Sequence, residues 1–289
     1  MSESAVRVVG LVPHPERPQA LALARHAATW LRERGLEVRV LLERGAPGDL
    51  SPLVVSADEF SPGLDVAVSL GGDGTMLRTV DQVYECGAAV LGVNVGQLGY
   101  LTEVEPDGLD RALAALLAGE YAIDERMMLE VVVGSSGPAA GRWWALNETV
   151  LDKGPSSRLA RVAVDINGTF FTTYAADGII VATPTGSTAY SFSARGPIVS
   201  PRHRCLLLTP VSPHMLFDRS LVLDAEEELR FTVAEARGVL LTLDGLQLGL
   251  LDDGDTVTCT GGPKPARIVT FGARDFHQIL KSKFGLADR

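Results

Sequence analysis

LDVAVSLGGDGTMLR, residues Leu64–Arg78, decides the fold. Leu64–Leu70 is an apolar run with the character of a buried strand. Gly71-Gly72-Asp73-Gly74-Thr75 follows as a turn, and Thr75–Cys86 has helical spacing. A glycine-rich turn from a strand into a helix is a natural anion site. Glycines let backbone N–H groups approach phosphate oxygens, and the helix N-terminus adds positive potential. The aspartate is the unusual element. A carboxylate beside a phosphate repels it, unless it holds a metal or takes a proton from an attacking hydroxyl. These five residues therefore point to phosphoryl transfer rather than phosphate binding alone.

The flanking sequence extends the strand–helix alternation. Val6–Val12, Leu36–Leu42 and Ala88–Val95 read as strands. Pro18–Arg34 and Gly108–Leu117 read as helices, with Gly35 as a C′ residue and a stop near Gly119. Strands separated by helices imply a parallel sheet with helices on its faces. From about Tyr121 the pattern changes to strands: Leu129–Val133, Arg142–Leu151, Ala160–Ile166, Ile179–Ala182, Leu206–Thr209, Glu228–Val233, Val239–Leu243, Asp255–Cys259 and Arg267–Phe271. Short turns such as Asn167-Gly168 and Asp244-Gly245 separate several of them, and Ser135–Gly141 reads as a hairpin loop. A helix over Thr188–Ala194 interrupts the series, and Arg274–Phe284 closes the chain as another. The expected fold class is an α/β N-terminal domain with a parallel sheet and an all-β, sandwich-like C-terminal domain. The expected domains are 1–122 joined by the C-terminal helix 272–289, and 123–271.

Composition narrows the function. A net charge of −10 argues against a broad footprint for nucleic acid or an anionic membrane. No apolar run approaches 18 residues and the first residues carry no signal pattern, so a soluble, cytoplasmic protein is expected. Cys86, Cys205 and Cys259 lack metal or redox spacing and read as reduced core thiols. No G-x-x-x-x-G-K-[ST] and no G-x-G-x-x-G exists, which excludes a P-loop and gives no support to a Rossmann hydride-transfer site. The five histidines form no H-E-x-x-H and pair with no Ser or Cys nucleophile.

Four further stretches carry chemistry. Asn94–Tyr100 (NVGQLGY) opens a second glycine loop at the end of a strand, where ligands gather in parallel sheets. Asn147-Glu148 lies inside the apolar stretch ALNETVL, where a polar pair must find partners or a cavity; an amide plus a carboxylate suits ribose hydroxyls and base nitrogens. Thr183–Ser193 (TPTGSTAYSFS) is dense in hydroxyls that grip phosphate or ribose, with aromatics to cover a base. Asp177-Gly178 suits an exocyclic amine. Each has a plain alternative: a β-to-α turn, a strand edge, a Ser/Thr N-cap and a β-turn.

Together these motifs resemble the bacterial NAD kinase family. The matching pieces are GGDGTMLR (71–78), LGVNVGQLGYLTEV (91–104), ALNETVLDKGPSSRL (145–159), DGIIVATPTGSTAYS (177–191) and LLLTPVSPHMLFDRSLVL (206–223). GGDGT is shared with lipid kinases and phosphofructokinases; TPTGSTAYS with an upstream NE and a downstream SPH is highly specific. The resemblance implies an α/β domain, an all-β domain and a C-terminal helix that returns to the first. It implies transfer of a phosphoryl group from ATP, or from inorganic polyphosphate, to the 2′-hydroxyl of the adenosine ribose of NAD, with Mg²⁺ or another divalent ion.

By that resemblance Asp73 orients the hydroxyl or accepts its proton, and Gly71, Gly72 and Gly74 line the phosphates. Arg78 neutralises phosphate charge, and Arg158 adds a positive contact. Asn147 and Glu148 bind a ribose, Asp177 reads the nucleobase, and Thr188, Ala189, Tyr190, Ser191, Phe192 and Ser193 hold the dinucleotide. Parts of that last segment serve a neighbouring subunit in the family, which implies a homodimer or homotetramer. Three positions depart from the pattern. Arg195-Gly196-Pro197 stands where many members have Gly-Gly-Pro. Leu246 and Gln247 follow Asp244-Gly245 where the family often has Gln first, which turns Gln247 to the opposite strand face. Ala175, two before Asp177, offers no charge near the 2′ position. A lipid kinase sharing GGDGT and a catalytically silent dinucleotide sensor are the competing readings; the first leaves the NE pair and TPTGSTAYS unexplained, and intact Asp73 argues against the second.

Overall fold

The computed structural model describes residues 6–42, 48–96, 99–154, 159–234, 238–272 and 275–286. It divides into two compact units, Met1–Glu125 with Ala266–Arg289, and Arg126–Pro265.

The first unit runs β1 (Val8–Pro13), α1 (Pro18–Arg32), β2 (Glu37–Leu41), β3 (Val54–Val55), α2 (Ala57–Phe60), β4 (Val66–Gly71), α3 (Asp73–Tyr84), β5 (Ala89–Asn94), α4 (Leu109–Ala118) and β6 (Ala122–Arg126). Its seven-stranded sheet has the order β3-β2-β1-β4-β5-β19-β6, where β19 (Ala266–Thr270) enters from the far end of the chain. β1 to β5 and β19 pair in parallel. β4 and β5 are buried at every residue, which is why they read as unbroken apolar runs. α1 buries Ala20, Ala24, Ala27, Ala28 and Leu31 along one stripe. It begins on Pro18, whose missing N–H is no loss in a first turn, and Gly35 beyond its end is left-handed at φ 80°. The last helix, α6 (Phe276–Lys283), belongs to this unit, and its Lys283 Nζ lies 4.3 Å from the centre of the Tyr100 ring.

The second unit contains β7 (Leu129–Gly134), β8 (Gly141–Ala145), β9 (Glu148–Lys153), β10 (Ala160–Ile166), β11 (Thr169–Ala176), β12 (Gly178–Ala182), α5 (Tyr190–Ser193), β13 (Cys205–Val211), β14 (Leu221–Asp224), β15 (Leu229–Val233), β16 (Val239–Leu243), β17 (Leu246–Leu251) and β18 (Thr256–Gly261). Two six-stranded sheets form, β11-β10-β15-β18-β7-β8 and β14-β13-β12-β9-β16-β17. Alternate residues of both, such as Leu229, Phe231 and Val233 of β15 and Ile179 and Val181 of β12, share one core. The outer face of the second sheet is also covered: Val150, Ile180, Ala182, Cys205 and Leu207 pack against Ala194 and Val199.

Several expectations change. Arg142–Leu151 is not one strand. β8 and β9 lie in different sheets, and the chain crosses between them at Leu146-Asn147. Arg267–Phe271 is a strand, but as β19 it joins the parallel sheet rather than the sandwich. The helix expected at Thr188–Ala194 is a 3₁₀ turn, Gly186–Thr188, followed by the single turn α5. α3 starts at Asp73, two residues earlier than its spacing implied. Strands β3, β6, β11, β14 and β17 had no clear sequence signal. Cys86 is exposed, not a core thiol, while Cys205 and Cys259 are buried.

Candidate active site

In the α/β unit, β4 ends on Gly71 and Gly72 is the extended residue before α3, at φ −99° and ψ −168°. Asp73 is the first helical residue, where a carboxylate meets the positive end of the helix dipole. Its side chain does not cap its own helix. Oδ2 accepts from Tyr100 N at 2.8 Å and Oδ1 from Leu101 N at 3.0 Å. The carboxylate thus ties the GGDGT turn to the loop after β5, some 28 residues away in sequence. That loop is also held at its base, where Val95 N donates to Gly71 O at 2.8 Å. The hydroxyl of Thr75 is buried against Gly71 and has no hydrogen-bond partner among the described residues. Arg78 is half-buried on α3.

In the β unit, the crossing at Leu146–Glu148 is held by Asp244, which the sequence marks only as part of an Asp-Gly turn. Asp244 Oδ2 accepts from Leu146 N at 2.8 Å, and Oδ1 accepts from Asn147 N and Glu148 N at 2.9 Å each. Asp244 and Gly245 form a two-residue hairpin turn with φ of 44° and 84°, the left-handed pair that Asp-Gly accommodates. The TPTGS loop packs onto the same crossing. Thr183 N donates to Asn147 O at 2.8 Å and Thr183 Oγ1 to Leu146 O at 2.5 Å. At Gly186 only glycine fits, because a Cβ would fall 2.6 Å from the Asn147 carbonyl carbon. Asn147 and the TPTGS loop, separate in sequence, are therefore one structure.

Glu148 is buried, and the Tyr190 N–H donates to its carboxyl. Burial first, and the charge of Asp244 second, push its pKa up to about 8, against the pull of that N–H. Glu148 thus carries a proton near neutrality and can donate a hydrogen bond. The raised pKa also makes a stability prediction. Above the ordinary value of 4.5 the unfolded chain has lost this proton while the folded protein keeps it, so stability falls as pH rises from there to about 8. Glu148→Gln should remove that slope. Thermal melts across the window should show the variant gaining a few kcal/mol on the wild type toward the alkaline end. Parallel melting curves at every pH would contradict it.

Around this pair lies an acidic neighbourhood. Asp177 accepts from Lys153 Nζ at 2.7 Å, and that bond, with lesser help from Lys153 charge, Ser212 and His214, holds its carboxyl below the usual range. Asp152 is pushed up by burial and then by Asp177. The Tyr190 phenol is raised by burial and then by Asp152, Asp177 and Glu148. Asn147, Glu148, Asp177 and Tyr190 are thus brought together, and Asp152, Lys153 and Asp244 join them without having been foreseen. Asp244 had one sequence signal, its place in an Asp-Gly turn.

The hydroxyls of the TPTGSTAYSFS run are mostly used within the protein. Ser187 Oγ bonds Val199 O and N at 3.1 and 3.0 Å, Thr188 Oγ1 bonds Thr185 O at 3.3 Å, and Ser191 Oγ lies 3.2 Å from Thr209 Oγ1. Ala189 is half-buried, while Tyr190, Phe192 and Ser193 are exposed. Arg158 lies outside the described residues. Arg195 is exposed and left-handed at φ 68°, a conformation glycine adopts freely and other residues at a cost of about 1 kcal/mol. The close approach belongs to its neighbour Gly196, where a Cβ would meet Ser191 O at 2.9 Å. Gln247 sits opposite Thr242 and is exposed.

No group of three or more His, Cys, Asp or Glu among the described residues forms a metal cage.

Family profiles match both parts of the chain: the ATP-NAD kinase N-terminal domain over residues 9–121 and the ATP-NAD kinase C-terminal domain over 146–271. The chain belongs to the NAD kinase family. An NAD kinase of Heliobacterium modesticaldum is 42% identical over 276 residues, covering 95% of this chain and 97% of that relative. One from Syntrophotalea carbinolica is 39% identical over 285 residues, covering 97% and 99%. Among solved structures, a yeast NADH kinase complexed with NADH matches with a TM-score of 0.87 at 24% identity, over 99% of this chain and 90% of that one. An Archaeoglobus fulgidus NAD kinase in complex with ATP matches at 0.71 and 24%, over 96% and 97%. At that identity the likeness is one of fold. No described helix of this NAD kinase family member is long and apolar enough to cross a membrane.

Proposed function

We propose that the protein transfers the γ-phosphoryl group of MgATP to the 2′-hydroxyl of the adenosine ribose of NAD, giving NADP and ADP. The observation that carries this reading is intact Asp73, clamped to the loop after β5, in a chain so closely related to proteins named NAD kinase. The 2′-oxygen forms a bond to the γ-phosphorus as the bond to the β–γ bridging oxygen breaks. Asp73 orients the hydroxyl and takes its proton late, an assistance worth roughly 10²–10⁴-fold. Its two N–H partners leave lone pairs for this, because each carboxylate oxygen has two. A magnesium ion bound with the ATP phosphates would supply charge shielding there, and most of the acceleration is positional and electrostatic. Gly71, Gly72, Gly74 and Arg78 face the phosphates. Asn147 and the protonated Glu148 bind ribose, Asp177 reads the base amine, and Tyr190, Phe192 and Ser193 lie along the dinucleotide.

The protein works in the cytoplasm as a homodimer or homotetramer in this reading. Exposed Phe170, Phe171 and Leu216 of the β unit supply apolar surface for such association. The test is NADP formation from ATP and NAD by the purified protein, read through an NADP-specific dehydrogenase. Steady turnover is expected. Tight NAD binding without product would instead favour the silent sensor, and phosphorylation of diacylglycerol the lipid kinase.

A further inference from the structure

The loop that follows β1 leaves the sheet beside the GGDGT turn. β1 and β4 are parallel neighbours with Pro13 opposite Leu70, and His14 N donates to Leu70 O at 2.9 Å. Arg17, exposed just ahead of α1, reaches further. Its guanidinium donates to the Val95 carbonyl beyond β5, and it crowds Gly96 so closely that a Cβ there would collide with it. The His14 imidazole is held below its ordinary pKa by burial, then by the charge of Arg17, then by that of Arg78, with Glu16 as the weaker opposing charge. Three basic side chains, two from the loop after β1 and one from α3, therefore share one small region at the carboxyl ends of β1, β4 and β5. They do so in a chain of net charge −10. The guanidinium charges of Arg17 and Arg78 give this region a positive field that favours an anion there. A guanidinium has five N–H donors, and the Val95 carbonyl engages Nη1 alone.

We infer that His14 and Arg17, with Arg78, receive the phosphate chain of the nucleotide donor. The inference rests on the kinase reading above. Arg17 is a positioning residue on the leaving-group side, where charge grows as the β–γ bridge breaks. A charge-assisted bond of this kind is strong enough to be read in ATP affinity.

The experiment varies ATP and NAD separately in wild type, Arg17→Gln, Arg17→Lys and His14→Gln, with inorganic tripolyphosphate as inhibitor. Arg17→Gln should raise KM for ATP about tenfold and weaken tripolyphosphate inhibition by a similar factor. KM for NAD should stay within about twofold, and Arg17→Lys should recover part of the loss, since a lysine keeps the charge. His14→Gln should shift ATP and tripolyphosphate in the same direction by a smaller factor. Unchanged tripolyphosphate inhibition in Arg17→Gln overturns the inference. So does a lowered melting temperature with both KM values rising together, which marks Arg17 as a mere staple of the Val95 loop. A wild type that makes no NADP defeats the kinase reading instead. Calorimetry with tripolyphosphate on the same proteins then still decides whether the cluster binds polyanions.

Discussion

Asp73→Asn should lower kcat by at least about a thousandfold, the upper part of the range for losing a proton acceptor. It should also loosen the loop at Tyr100-Leu101. On the proposed mechanism the carboxylate accepts a proton as well as clamping the loop, and asparagine does neither fully. As a proton acceptor the amide is useless. As a clamp it presents one oxygen and one NH₂ to two backbone N–H groups, where Oδ2 and Oδ1 now accept from Tyr100 N and Leu101 N. A donor then faces a donor, at a cost of about 1–3 kcal/mol. The two losses separate experimentally. Loosening of the loop shows as faster hydrogen exchange at the Tyr100 and Leu101 amides and as a lower melting temperature. Loss of the proton acceptor shows in kcat with saturating substrates. A folded Asp73→Asn protein with wild-type kcat would sink the acceptor assignment and leave the clamp as the only role.

Asp244→Ala should destabilise the β unit by roughly 2–4 kcal/mol and raise KM for NAD far more than KM for ATP. Three backbone N–H groups, those of Leu146, Asn147 and Glu148, would lose their common acceptor at the point where the chain changes sheets. Alanine also tolerates the φ of 44° at this turn less well than aspartate does. The melting temperature should fall by about 10 °C, using 2–4 °C per kcal/mol for a chain of this size. Asp244→Asn keeps one acceptor oxygen and the turn, and should lose less. Removing the charge also withdraws the second cause of the raised Glu148 pKa, so the alkaline loss of stability should shrink in both variants. Unchanged melting and an unchanged KM for NAD in Asp244→Ala would show that the crossing holds without its anchor.

The parts of the fold legible in the sequence were those where burial is two-sided. β4 and β5 are apolar at every position because the sheet is covered on both faces, and no other element suits such a run beside a glycine turn. Strands with a one-sided or edge environment left little trace. β6, AIDER, ends the parallel sheet and is largely polar. β11, TFFTTYAA, is an edge strand that exposes Phe170 and Phe171, so its pattern has no clean alternation. β17 carries Gly249 at φ 148° where its pairing with β16 slips, which disguises it further.

The same distinction runs through the site. Local chemistry was written in the order of residues. A Gly-Gly-Asp-Gly turn between an apolar run and a helix needs no distant information to suggest a phosphate beside a carboxylate. Asn147-Glu148 inside ALNETVL announced a polar pair that had to be satisfied somewhere. What satisfies it was not local. Asp244 reaches the pair from 97 positions away, the TPTGS loop docks on Asn147 through Gly186, and Arg17 meets Val95 across 78. Periodicity reports which face of an element is buried, and says nothing about which distant group faces it. The sequence by itself therefore determined the two kinds of sheet, the phosphate turn and the family. Only the tertiary structure decided that Asp73 clamps the loop after β5, that Glu148 is held protonated, and that the loop after β1 brings His14 and Arg17 to the same turn. Hydrogen bonds and electrostatic fields depend on distance in space, and the chain sets that distance only once it has folded.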